Sequence, residues 1–425
     1  MGLPLSLVLA DCGFHVIGVD ISKELLDCLD NGELPISEPG LQELLLNNLN
    51  KNFSVVDDIK YAVNNTETVF ITVGTSLNNT EANLSSILLV LRQIGKILKK
   101  NQLIVLRSTI SIGFTENEGR RILEEESNMI AGKDFWLAYS PERTVEGVAL
   151  NELKTIPKIV SGISETSIER TSKILEKIGP KVIRVSSPKS AEMLKLLDNT
   201  SRGLNIAFGN TVGIFCEKLG IDAHEVIKAA NTDYPRNKLL IPSPGVGGSC
   251  VPKDSVFFMH QMESYGLSGR LIRAASEINN HMPYHTIKLL QSCFDEIGKP
   301  VKESKIAIFG LAYKGFPVTD DIRNSPSKII IEELVKLDAI IVGYDPAVPA
   351  KKFTQFDLEK ISLEACFEDA DAIVIVTNHP AFKKLKIRKY VNKMRHPPIL
   401  VDGWHLFDPK EIKNLGFIYR GIGVG

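Results

Sequence analysis

No stretch of this 425-residue sequence is apolar for long enough to cross a bilayer. The six cysteines, at 12, 28, 216, 250, 293 and 366, include no CxxC pair, so neither a zinc site nor a disulfide framework is expected, and no metal. Charge of one sign is missing as well. Fifty Lys and Arg against 51 Asp and Glu leave a formal net charge of −1, which excludes a global field for nucleic acid or an anionic membrane. No basic residue precedes the short apolar run Leu3 to Ala10, which argues against a secretory signal. Met1-Gly2 with Ser6 fits an acylation pattern only loosely, and a buried helix explains this run better. There is no tandem repeat and no low-complexity tract. What remains is an ordinary globular composition on a chain too long for one core, so two or three domains are expected. Dispersed thiols fit a reducing compartment, the cytoplasm. Five of them read as small buried apolar residues, and Cys250 alone has unusual neighbours.

The chain alternates short apolar runs with helical patterns up to about residue 185. His15 to Asp20, Thr68 to Gly74, Leu103 to Thr109 and Phe135 to Tyr139 read as strands. Continuous apolar strands with helices between them imply a parallel sheet covered on both faces. A helical region follows, from about Ser187 to His285, opened by Pro188. The alternation resumes with strands at Lys305 to Gly310, Ala339 to Asp345, Asp371 to Thr377 and Pro398 to Asp402. The plan is α/β, then helical, then α/β, divided as 1–186, 187–298 and 299–425.

Asp20 ends the first of these strands, which a helix from about Gly2 to Cys12 precedes. An acid in that place binds the adenosine ribose in a dinucleotide fold. Such a fold opens with an additional strand and G-x-G-x-x-G. Gly2 serves only as the last glycine, and the first strand and two earlier glycines are absent from the 425 residues. Their loss exposes apolar surface and removes backbone donors for a pyrophosphate. Gly74-Thr75 and Ser108-Thr109 stand at carboxyl ends of strands, the edge where open α/β sheets bind ligands; polar turn chemistry is the plain alternative.

The segment Pro244-Gly-Val-Gly-Gly-Ser-Cys-Val-Pro-Lys-Asp254 carries most information. Gly245, Gly247 and Gly248 let backbone approach a ligand closely. Cys250 precedes Pro252, a residue suited to a helix start, and a helix N-terminus suits a nucleophilic sulfur. Lys253 adds positive charge, and Asp254 can cap the helix and accept a hydrogen bond. Lys195, Asn199 and Arg202, spaced four and three apart, share one face of an otherwise apolar helix. Glu142 and Glu146, in Ser140-Pro-Glu-Arg-Thr-Val-Glu-Gly147, offer two carboxylates for acid/base work or for substrate hydroxyls.

Together these pieces resemble the UDP-glucose/GDP-mannose dehydrogenase family over nearly the whole chain. The matching residues are Gly2-Leu-Pro-Leu, Val19-Asp20, Val73-Gly-Thr75, Ser108-Thr109, Ser140-Pro-Glu-Arg143, Glu192-Met-Leu-Lys195 with Asn199, the glycine-cysteine loop, Gly310-Leu-Ala-Tyr-Lys314 and Asp320-Asp-Ile-Arg323-Asn-Ser-Pro326. The resemblance implies two Rossmann-like parallel-sheet domains joined by a long dimerising helix; this sequence departs from it in lacking the first domain's initial strand. It implies NAD as cofactor, held by Gly2, Asp20, Gly74, Thr75, Ser108, Thr109 and Arg323. It implies a UDP-sugar substrate, held by Glu146, Lys195, Asn199, Arg202, Arg236, Gly245, Gly247, Gly248 and Lys314.

The implied chemistry is oxidation of a primary alcohol to the acid. Cys250 attacks the intermediate aldehyde, and Lys195 and Asn199 stabilise the oxyanion. Lys195 or a water on Asp254 assists proton removal, and Glu142 and Thr109 assist hydrolysis. Pro235-Arg236 and the Pro-Glu-Arg-Thr loop are most like members acting on UDP-N-acetylmannosamine. The Ser-Cys-Val-Pro-Lys-Asp ending is closer to those acting on UDP-glucose; UDP-N-acetylglucosamine is a further alternative. A UDP-sugar-binding protein with an impaired NAD site is the competing class.

Overall fold

Leu103-Ile-Val-Leu106 is buried at every position, which requires a strand covered on both faces. In the computed structural model, which describes residues 2–78 and 81–425, it is the strand β6 of a unit made of Met1–Asn199 and Lys253–Leu267. Met1, and with it the start of the acylation pattern, lies outside the described residues. The strands of this unit are β1 (Val16–Val19), β2 (Phe53–Val56), β3 (Thr68–Ile71), β4 (Ser76–Asn78), β5 (Glu81–Asn83), β6 (Leu103–Leu106), β7 (Trp136–Tyr139), β8 (Lys158–Gly162) and β9 (Val182–Arg184). The main sheet has the order β3-β6-β7-β8-β9, β1 and β2 form a separate parallel pair, and β4-β5 is a hairpin. No described strand joins β1 to β3, in line with the missing first strand.

The sheet departs from the expected parallel arrangement at one point: β8 runs antiparallel to β7, with Ala138 opposite Gly162. The strands β2, β8 and β9 had no strong signal, since a lysine opens β8 and a glycine ends it. The helix Gly2–Asp11 buries Leu5, Leu7, Val8 and Leu9, the apolar run that resembled a signal core.

The second unit comprises Thr200–Pro252 and Ser268–Gly425. Its strands β10 (Lys305–Phe309), β11 (Ile340–Tyr344), β12 (Ala372–Ile375), β13 (Ile399–Asp402) and β14 (Ile418–Gly421) pair in the order β11-β10-β12-β13-β14, all parallel. The expected helical region resolves into Pro188–Leu219, Ala223–Asn231, Val251–Ser264 and Arg270–Glu296. Residues 232–250 between the second and third of these form no helix. Cys216, Cys293 and Cys366 are buried as expected, whereas Cys12 is exposed and Cys28 half-buried. Cys12 donates to the Lys177 carbonyl at 3.3 Å. Among the described residues, no helix is long and apolar enough to cross a membrane.

The start of the long helix is locked by one side chain. Glu192, fully buried, accepts from Gly113 N at 2.5 Å, Thr115 N at 2.9 Å and Thr115 Oγ1 at 2.6 Å. This fixes the helix against the loop after β6, one turn before Lys195. Glu192→Ala leaves two backbone N–H groups buried and unpaired. We expect a loss of about 2–4 kcal/mol from the first unit, read as a lowered unfolding midpoint in denaturant.

In the second unit, Asp222, His224 and His405 gather their ligand atoms within 4.8 Å of one another. The two imidazoles stack with centroids 4.4 Å apart and planes 16° from parallel. One ion cannot lie in both ring planes, so the cluster is a stacked pair and not a chelate. Burial, with His405 beside it, pulls the His224 imidazole below its ordinary 6.5 despite the hydrogen bond to the Ile422 carbonyl. The unfolded chain therefore takes up this proton first as pH falls. The stabilisation is complete above 6.5 and declines below it. Thermal unfolding at pH 7.5 and 5.5 should show a drop that His224→Asn makes smaller.

Candidate active site

In the first unit, the carboxyl ends of β3, β6 and β7 and two helices bring the expected polar residues together. Asp254 lies in the first turn of Val251–Ser264 and is fully buried. It does not cap the helix. Its Oδ2 accepts from Asn199 Nδ2 at 2.6 Å and lies 3.9 Å from Lys195 Nζ. Its Oδ1 has Lys253 Nζ at 2.9 Å but no aligned hydrogen bond among the described residues. Lys253 also reaches Thr75 Oγ1, at 3.3 Å, and Thr75 in turn donates to the Thr109 carbonyl at 2.9 Å. A buried carboxylate tolerates desolvation only with such partners. Lys195 and Asn199, which share one helix face, thus converge on one acid. Ser108 is tied down by donation to the Val73 carbonyl at 2.6 Å.

A second group was not anticipated. Arg107, at the end of β6, is buried, and its Nη2 donates to Glu142 Oε2 at 2.6 Å while Nη1 donates to Ser140 Oγ at 3.1 Å. Glu142 Oε1 accepts the N–H groups of Arg143 and Thr144 at 2.8 and 2.9 Å. Burial opposes ionisation here, but the Arg107 charge and hydrogen bond, with the bond from Thr144, outweigh it and hold the carboxyl down at about 2. The signal was present in the sequence: one arginine closing an otherwise apolar strand has to find an acid. Glu146 is half-buried in the same loop.

Gly2 and Asp20 fit a dinucleotide. A Cβ on Gly2 would lie 2.6 Å from Thr72 Oγ1, the close helix–strand packing required of the last glycine in the fingerprint. Asp20 is half-buried after β1, and one of its oxygens accepts from Ser22 N at 2.9 Å. A Cβ on Gly74 would meet nothing within 4 Å, so the edge beyond β3 is open. These residues fit the ribose and nicotinamide parts of NAD. The N-terminus of the helix Gly2–Asp11 offers backbone N–H groups of the kind a pyrophosphate takes.

In the second unit, Cys250 is exposed, with Ser249 Oγ 3.5 Å from its sulfur, and directly precedes the helix that carries Lys253 and Asp254. The glycines before it are demanded by the chain's own packing. Gly248 has φ +82°, and a Cβ there would sit 2.7 Å from the Tyr313 ring; at Gly247 it would sit 2.1 Å from the Asn324 carbonyl oxygen. Gly248 N donates to the Arg323 carbonyl at 2.9 Å, and Asn324 Nδ2 donates to the Gly248 carbonyl at 3.1 Å. Gly247 and Gly248 thus pack closely against residues 313–324, whereas a Cβ on Gly245 would lie 3.2 Å from the Asn279 carbonyl oxygen. The Arg323 side chain is paired with Asp321 at 2.6 Å, Lys314 lies over the Tyr313 ring at 5.4 Å, and Arg236 lies over the Tyr234 ring at 4.4 Å. Arg202 is exposed.

Three family models match the chain in order. They are the NAD binding domain of the UDP-glucose/GDP-mannose dehydrogenase family over residues 1–179, its central domain over 189–281 and its UDP binding domain over 307–409. The UDP-N-acetyl-D-mannosamine dehydrogenase of Pyrococcus horikoshii is 34% identical over 426 residues, spanning 100% of this chain and 97% of that protein. A solved structure of UDP-D-ManNAc dehydrogenase from the same organism superposes with a TM-score of 0.91 at 33% identity, covering 100% and 97% of the two chains. The UDP-glucose 6-dehydrogenase of Rhizobium meliloti is 30% identical, over 100% of this chain and 97% of that one.

Gly248→Ala adds a side chain where both φ and the Tyr313 ring oppose it. The loop bearing Cys250 should shift, with a stability loss of about 1–3 kcal/mol. Thermal unfolding measures the loss, and the alkylation rate of Cys250 reports the displaced loop.

Proposed function

Since the chain belongs to the UDP-glucose/GDP-mannose dehydrogenase family of NAD-dependent oxidoreductases, we propose that it oxidises the primary alcohol of UDP-N-acetyl-D-mannosamine to the uronate through a thioester on Cys250. The strongest support is the convergence of Lys195 and Asn199 on buried Asp254, four positions after Cys250 in the chain. The preference for the acetamido sugar is supported by the names of several relatives at 30–34% identity.

NAD supplies the hydride acceptor for both oxidations. Gly2, Asp20, Gly74, Thr75, Ser108, Thr109 and Arg323 would hold it. Lys195, or a water on Asp254 Oδ1, takes the proton of the sugar hydroxyl as the alcohol becomes an aldehyde. The Cys250 sulfur then adds to the aldehyde carbon, and the new alkoxide is stabilised by the Lys195 ammonium and the Asn199 amide. Loss of the second hydride leaves the thioester. Water, oriented by Glu142 and Thr109, adds to its carbonyl, the C–S bond breaks and the acid departs. Glu146, Arg202, Arg236, Lys314 and the backbone at Gly245, Gly247 and Gly248 hold the substrate. Segments 1–186 and 299–425 would serve the two nucleotides, and 187–298 a dimer. The dimer is supported by Phe208, Phe215 and Leu219, all exposed at helical spacing on Pro188–Leu219. Six unpaired thiols support a cytoplasmic setting.

Incubation with NAD and UDP-N-acetylmannosamine should yield two NADH per sugar and the uronate, and Cys250→Ala should yield no uronate. The kcat/KM for this sugar should exceed that for UDP-glucose and UDP-N-acetylglucosamine by roughly 10-fold or more. Faster turnover of UDP-glucose replaces the substrate and keeps the reaction. Binding of the UDP-sugar with no NADH formed rejects the enzyme.

A further inference from the structure

A carboxylate that must orient water needs a fixed direction and a fixed charge. Nothing in the loop Ser140 to Thr144 supplies both on its own, since its N–H groups reach only one oxygen of Glu142. The other oxygen is held from a different strand. Arg107 lies in the chain stretch that runs on from β6 to Ser108 and Thr109, and its guanidinium forks between Glu142 Oε2 at 2.6 Å and Ser140 Oγ at 3.1 Å. The Arg107 side chain is 2% exposed and that of Glu142 is 15% exposed, so water screens the pair little. The Nε of Arg107 is buried with no hydrogen-bond partner among the described residues. The guanidinium is therefore committed to this loop alone.

We propose that Arg107 is a positioning residue for the hydrolytic step, keeping Glu142 ionised and aimed throughout the working pH range. This rests on the reading of Glu142 as the acceptor that orients water. In that step water oxygen bonds to the thioester carbon and the C–S bond breaks. The Cys250 sulfur leaves with the electron pair and takes one water proton, and the other passes to solvent as the product ionises. Glu142 accepts a hydrogen bond from the water and is not consumed.

The other charges around the pair are few. Lys158, at the start of β8, is buried, feels both Glu142 and Arg107, and is pulled down to about 8 by its burial. Arg143, on the same loop as Glu142, is paired with Asp198 at 2.8 Å. Glu152 accepts from Val145 N at 2.7 Å. None of these donates to Glu142 Oε2, so removing Arg107 takes away the guanidinium donor of that oxygen, in a site whose burial favours the neutral acid. The planar fork also explains the choice of arginine, because an ammonium cannot hold Ser140 and Glu142 in one plane.

The test is Arg107→Gln in the full-length enzyme with NAD and the UDP-sugar. We expect kcat to fall on the order of 100-fold with KM changed less than about 3-fold. Turnover should acquire an acid limb at higher pH than in the parent, because burial raises the Glu142 carboxyl once the Arg107 charge is gone. Intact mass should show sugar bound to Cys250, because formation of the thioester outruns its hydrolysis. Arg107→Lys should restore the parent's pH profile with kcat roughly 10-fold below the parent. A parental pH profile in Arg107→Gln, with no accumulated adduct, overturns the proposal. If Arg107→Gln does not fold, Arg107→Lys decides, and parental kcat there overturns it. Glu142→Gln separates the two layers. Parental turnover in that variant rejects the role of Glu142 itself, whereas slow Glu142→Gln beside normal Arg107 variants rejects only the role of Arg107.

Discussion

A carboxylate with no exposed surface cannot stay in a protein interior without partners, and Asp254 has three. Asn199 and Lys195 come from the long helix, and Lys253 is its chain neighbour. That one acid therefore joins the helix beginning at Val251 to the helix beginning at Pro188. Glu192 does the same one turn earlier, by joining the long helix to the loop after β6. Lys195 and Asn199 are held by an ion pair and a hydrogen bond to one buried acid, not by apolar contact alone. Such links are directional, which suits a site where donors must already be aimed when charge develops.

Two strand-end acids illustrate how similar sequence signals diverge. Asp345, after β11, is buried, and its oxygens accept from Leu311, Ala312, Ala347 and Val348 N at 2.7 to 3.1 Å. It is consumed by its own loops. Asp20, after β1, is half-buried and holds one backbone N–H. Only the second keeps capacity for a ribose. The glycines before Cys250 make a related point: Gly247 and Gly248 pack closely against residues 313–324, and that packing shapes the loop.

The elements were legible where apolar runs are long and bounded. β3, β6, β7 and β10 to β13 fall inside the expected strands, and the long helix starts at the expected proline. β8 was missed, and so was its direction, because a five-residue strand with polar ends carries little periodicity. Within the site, Lys195 and Asn199 shared a face by spacing alone. Asp254 suits a cap or a hydrogen-bond acceptor by its position in the chain; buried in the first turn, it serves as the acceptor for Asn199.

The amino-acid order by itself determined the α/β alternation, the helix face of Lys195 and Asn199, the thiol at a helix start and the family. Those are local properties, fixed by periodicity, turn residues and motif spacing. Tertiary structure alone decided that Arg107 meets Glu142 across 35 positions and that Glu192 anchors a loop 77 positions away. The physical reason is that a buried charge is defined by what surrounds it, and partners so far apart in the chain become neighbours only once the sheet has formed.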